Sequence, residues 1–232
     1  MAIITKERAQ KNLEKQGQQE EAIWNFGEVK TEDLNLSRIV IGQSTSELLI
    51  EHRGKLNAGD IWDVTEQERV WAIGDKPLEF IAVKFIRFVE RFTLDEKNNE
   101  IYYDAVPFPK GVFEKETVSP QGEALVNKEV LEFQIHLIKD LEAGIKFPTI
   151  IRFKGWGLSV GKDLISACVK AVSAGKTPAS VMFGLTTKHV SYTTKAQVKT
   201  NFYVWNINKL AQKVKLDYID TAFKTNSQKL LD

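Results

Sequence analysis

The sequence predicts a mainly β fold with flanking helices, and three observations carry that prediction. Apolar residues rich in Val, Ile, Phe and Tyr recur at period two through much of 78–207. Within that stretch a single segment, 159–174, has helical spacing. Turn residues separate the runs, as at Asp95-Glu96-Lys97-Asn98-Asn99 and across the Pro/Gly-punctuated stretch Pro107–Gly122. A chain of 232 residues that is 43% hydrophobic and 27% charged can bury a substantial core.

Taken in order, Thr5–Ala22 is dominated by Lys, Glu and Gln, and is expected to be mobile or marginally helical. Residues 23–75 are expected to form a small β appendage, with Asp60–Val64 and Arg69–Ile73 as a hairpin. Leu78–Phe92 reads as a long bent strand, with Ile81, Val83, Phe85 and Val89 on one parity and Lys84, Ile86 and Phe88 on the other. Ile101–Tyr103 returns after the turn. Val130–Ile138 alternates, placing Leu131, Phe133, Ile135 and Leu137 inward and Glu132, Gln134 and His136 outward. Phe147–Trp156 is a further strand. The helix that follows has Ser159 as candidate N-cap, Leu164, Ile165, Cys168, Val169 and Val172 as its apolar face, and Gly175 with Pro178 as its stop. Val181–Val190 and Val198–Ile207 complete the strands, and Lys209–Leu231 is expected to be an amphipathic C-terminal helix.

A helix between the third and fourth main strands is the mark of the OB-fold, a five-stranded Greek-key barrel. The expected organisation is therefore an N-terminal segment (1–22), the β appendage (23–75), an OB-fold nucleic-acid-binding domain (76–208) and the C-terminal helix (209–232). An unrelated α+β sheet is the alternative.

The net charge of +1 conceals a strong asymmetry. Ala143–Lys215 holds twelve Lys or Arg against one acid, Asp163, whereas Met1–Glu142 is net acidic. Such segregation favours a polyanionic partner, unless the cations pair with the acidic half. No apolar run approaches membrane-spanning length, the first ten residues are not a leader, and the lone Cys168 forms no internal disulfide. A cytoplasmic protein with no membrane partner is expected.

Catalytic constellations are not apparent, and no enzyme, cofactor or metal is expected. Gly155, Gly157, Gly161 and Lys162 miss the phosphate-loop spacing, because Trp156 stands five residues before Gly161 and Asp163 follows the lysine. His52, His136 and His189 have no ligand spacing, and Cys168 lies on an apolar helix face. Asp60 and Asp63 suit a hairpin start better than a metal.

A single-stranded DNA groove needs cations for phosphates and aromatic platforms for bases. The candidate DNA-binding residues are Lys84 and Arg87 on the long strand, then Arg152, Lys154, Trp156 and Lys162. The last two strands and their loop add Lys188, His189, Tyr192, Lys195, Lys199, Tyr203 and Trp205. On the final strand, Tyr203 and Trp205 serve the core instead if Phe202 and Val204 face the groove.

Gly59-Asp60-Ile61 and Lys76-Pro77-Leu78-Glu79-Phe80-Ile81-Ala82-Val83 resemble phrases in a class of bacteriophage single-stranded DNA-binding proteins. So do Ile151-Arg152-Phe153-Lys154-Gly155-Trp156-Gly157-Leu158-Ser159-Val160-Gly161-Lys162 and Ala174-Gly175-Lys176-Thr177-Pro178. The resemblance spans about Leu36–Ile207, in layout and short phrases. It implies an OB-fold protein that coats single strands without sequence preference during phage replication and recombination, with strand annealing as an accompanying activity. Replication or recombination proteins would be its partners. The ending Thr225–Asp232 lacks the acidic run with which many such proteins recruit those partners. The alternative is a phage assembly protein that uses an OB-like barrel to hold another protein.

Overall fold

The computed structural model describes residues 36–44, 46–96, 99–145, 147–193 and 197–220. Its ten described strands are β1 (Arg38–Ile41), β2 (Ile61–Asp63), β3 (Glu68–Trp71), β4 (Leu78–Leu94), β5 (Glu100–Pro107), β6 (Glu116–Val118), β7 (Ala124–Leu137), β8 (Thr149–Lys154), β9 (Val181–Thr193) and β10 (Lys199–Lys213). The helices are α1 (Glu47–Glu51), α2 (Ile138–Glu142) and α3 (Leu158–Ser173). The protein is mainly β, and its sheet curls into a half-barrel.

The 17-residue β4 organises that curl. Its aromatic and β-branched composition favours extended backbone. Leu78–Ile81 pairs with β9, Phe80–Phe92 with β7, and Phe88–Leu94 with β5. The β4–β7 register shifts between Ala82 and Lys84, and such a bulge bends its strand and increases its twist. The shift also breaks the parity expected from sequence. Phe80, Ala82 and Phe85 serve the main core, whereas Ile81 and Val83 join a second cluster.

The sheet order is β10-β9-β4-β7-β8-β1-β2-β3, with β5 on β4 and β6 on β7. The expected 60–73 hairpin forms as β2–β3. The described part of 23–75 extends the main sheet, because β1 pairs in parallel with β8 through Arg38 and Ile39. Among the described residues no ladder joins β8 to β10, but side chains bridge the gap. Trp205 Nε1 donates to the Arg152 carbonyl at 3.0 Å. The Gln43 amide donates to the Tyr203 carbonyl at 2.7 Å and accepts from its N–H at 2.9 Å. Gln43 thus supplies the two hydrogen bonds that an added strand would make.

Helix α3 lies against the curl through Leu164, Cys168 and Ala171, in the core that also holds Phe80, Phe133, Phe153 and Phe183. Gly161 makes the close approach possible: a Cβ there would stand 3.0 Å from Leu131 and Phe153. The helix begins one residue before Ser159, and its N-cap, Gly157, makes no side-chain capping bond. At the other end Gly175 has φ +71°, as the expected stop requires.

Two further expectations are corrected. Residues Lys209–Lys213 are strand, so any C-terminal helix starts later; 216–220 are helical and the rest of 209–232 lies outside the described residues. Leu210, Val214, Tyr218 and Ile219 pack on the second cluster of Ile81, Val83, Ile138, Ala179 and Met182. From Val130 to Leu137 β7 is also buried on both faces, Glu132, Gln134 and His136 included. The segment 1–22 lies outside the described residues.

Candidate functional site

A groove of about 870 Å³ opens where β10 faces β1, β8 and the 3₁₀ turn Gly155–Gly157. Gly155 adopts φ +55° as the chain leaves β8, and the turn projects Trp156 outward. Arg152, Lys154, Trp156, Tyr203 and Trp205 all line this groove, which brings together five of the residues selected from sequence.

The aromatics divide into two sets. Trp156 is 61% exposed and its ring lies 5.4 Å from Tyr192 and 5.8 Å from Phe202. Tyr192 and Phe202 meet edge to face at 5.8 Å, completing a cluster of three rings. Strand alternation places Phe202 on the opposite face of β10 from Tyr203 and Trp205. Trp205 is only 7% exposed; it packs edge-on to Phe153 and belongs to the core. Tyr203 rests against Gly59 and the ring of His189, which lies 5.2 Å away. A Cβ on Gly59 would meet Tyr203 at 2.6 Å, and φ there is +93°. The ring of this cluster that sequence reasoning left out of its candidates is Phe202, which is half-buried. Its signal was the competing parity of the same strand.

Several selected cations are committed within the molecule. Arg152 Nε donates to Glu132 Oε2 at 2.6 Å, and its Nη1 lies 3.8 Å from Glu90. Lys154 Nζ reaches Glu90 Oε2 at 3.3 Å. Glu132 is 2% and Glu90 6% exposed, so these are buried carboxylates that require partners. Arg38, which sequence reasoning missed, also lines the groove. Burial, and then the nearby Arg152, lowers its guanidinium below the ordinary value, against the opposing pull of Glu132 and Glu90.

Glu129 holds Arg87 at 2.8 Å and Lys162 at 3.1 Å, and the Arg87 guanidinium lies 3.5 Å from the Phe108 ring centre. Lys84 is half-buried beside the β4 bulge, and burial lowers its ammonium from the usual range. Lys188 and Lys199 are exposed on the β9–β10 hairpin, outside the lining of the groove, and make no ion pair with another described residue. Lys195 lies outside the described residues.

The Asp60–Asp63 pair has a structural occupation. Asp60 accepts from the Asn57 and Ile73 N–H groups and pairs with Arg69 at 3.4 Å. Asp63 accepts from the Ser37 hydroxyl and from the Thr65 and Glu66 N–H groups. These bonds hold the β2–β3 hairpin against β1.

No family model matches the chain, and neither a curated protein nor a solved structure matches it significantly.

Proposed function

We propose that the protein binds single-stranded DNA without sequence preference, on an OB-like barrel, as an accessory to phage replication or recombination. The observation that carries this reading is the Trp156–Tyr192–Phe202 cluster, with Trp156 exposed on two half-buried rings, at the mouth of a groove lined by Arg152 and Lys154. Flat, sequence-tolerant rings beside cations are what a single strand offers stacking and phosphate contacts to. Lys188 shares the hairpin face of Tyr192 and Phe202 and extends the positive surface along it.

The barrel reading draws support from strand order. With β1–β3, the off-path strands β5 and β6 and the one-turn helix α2 set aside, β4, β7, β8, α3, β9 and β10 follow one another in the chain, and the spatial order β10-β9-β4-β7-β8 agrees with an opened OB barrel. The seam that a closed barrel would pair is the one bridged by Trp205 and Gln43.

An anisotropy titration with labelled oligo(dT), repeated with duplex of equal length, tests the reading across a salt series. Binding should favour the single strand, with log affinity falling by about 0.7 per neutralised phosphate for each log unit of salt. Duplex preference or a flat salt response overturns it.

One observation favours the second reading, a protein-holding barrel in phage assembly. Glu90, Glu129 and Glu132 already neutralise much of the charge on Arg87, Arg152, Lys154 and Lys162. Under that reading micromolar protein at low salt leaves oligo(dT) free.

A further inference from the structure

We propose that a second trough, between α3 and the end of β10, is a docking site for an acidic, extended peptide segment of a partner protein. The trough encloses about 800 Å³. Lys170 and Lys176 border it on the helix side, Lys209 and Lys213 on the strand side, and Asp163 is the one carboxylate among its lining residues. None of the four lysines makes an ion pair with another described residue, in contrast to Arg152, Lys154 and Lys162. Four like charges around one channel repel one another, and a ligand carrying carboxylates relieves that repulsion.

The lining selects a peptide over a nucleic acid. Among the described residues it contains no aromatic ring to receive a base and no arginine fork to grip a phosphate. Its base is apolar, with Ala167 and Leu210 half-buried and Ala211 exposed above the buried Ala171, Val181 and Met182. The strand wall is also irregular: from Lys209 opposite Phe183 to Lys213 opposite Val181, β10 advances four residues while β9 advances two. Backbone at 210–212 is therefore out of step with β9, on a strand that ends the sheet. An extended segment can add along such an edge, its apolar side chains seated on the base and its alternate carboxylates reaching the lysines. The inference stands independently of DNA binding at the first groove.

The test uses the full chain and a fluorescein-labelled peptide of alternating aspartate and leucine, about eight residues long, read by anisotropy at low salt. A control peptide carries asparagine in place of aspartate, and oligo(dT) is titrated in parallel. Micromolar binding of the acidic peptide is expected, weakened at least about tenfold by Lys170→Glu with Lys209→Glu and by the asparagine control, while any oligo(dT) affinity stays constant. Absence of acidic-peptide binding, or binding indifferent to the double substitution, overturns the proposal. Loss of oligo(dT) binding in the double variant makes the trough a nucleic-acid track and overturns it equally. Urea midpoints confirm folding, and if the reversals unfold the chain, Lys176→Gln and Lys213→Gln must show the same weakening in kind.

Discussion

Removing the Arg152 side chain should destabilise the protein rather than merely weaken a ligand contact. Its guanidinium sits 2.6 Å from Glu132 and 3.8 Å from Glu90, and both carboxylates are buried. Arg152→Ala leaves Glu132 without its closest cation. Breaking a buried pair by deleting one partner typically costs ~3–5 kcal/mol, because the remaining charge stays desolvated. Here Lys154 still reaches Glu90, and Arg38 lies close enough to feel both acids. The cost should therefore fall at the low end, at about 3 kcal/mol. Replacing both partners with apolar residues, Arg152→Met with Glu132→Leu, removes the stranded charge and should recover most of that loss. Urea unfolding of the wild type, the single variant and the pair measures this directly, since midpoints shift at constant slope when only stability changes. A single-variant loss below ~1 kcal/mol, the size of an exposed pair, would refute the reasoning.

Three other outcomes follow from the same packing. Gly161→Val places carbons where Leu131 and Phe153 already stand 3.0 Å from a Cβ, and should cost about 1–3 kcal/mol in thermal or urea unfolding. His136 is buried, its Nδ1 has no hydrogen-bond partner among the described residues, and burial lowers its pKa to about 4. The unfolded chain, near 6.5, therefore takes up the proton first. This group leaves stability unaffected above that pH and should erode it by up to about 3 kcal/mol as pH falls towards 4. His136→Phe should flatten that limb of the pH profile, and an unchanged profile would contradict the assignment. Cys168 is fully buried and its thiol is pushed up to about 12, so a disulfide reagent should label it only as the chain unfolds. Rapid labelling of the folded protein would contradict the burial.

The legible part of this protein was the part with strong periodicity. β4, the β2–β3 hairpin, α3 and the β9–β10 pair could be placed from apolar spacing and turn residues alone. What sequence could not supply was the second covered face of β7. Glu132, Gln134 and His136 alternate as solvent-facing residues do, yet all three are buried, Glu132 against Arg152. The end of β10 misled for a related reason, because Leu210 and Val214 stand four apart, as on a helix, and nevertheless meet one apolar cluster after an irregular stretch of strand. At the site, the basic and aromatic character of 143–215 was visible. Which aromatic faces outward depended on a parity that sequence left open, and which cations are free depended on Glu90, Glu129 and Glu132, acids distant in sequence.

The central claim, that the Trp156 ring cluster receives a single strand, is tested most directly by Trp156→Ala measured for affinity and stability together. The side chain is 61% exposed, so the urea midpoint should correspond to wild-type stability within about 0.5 kcal/mol. Losing one stacking platform should weaken oligo(dT) binding by ~1–3 kcal/mol, roughly 5- to 150-fold. Unchanged affinity in a fully folded Trp156→Ala protein contradicts the account.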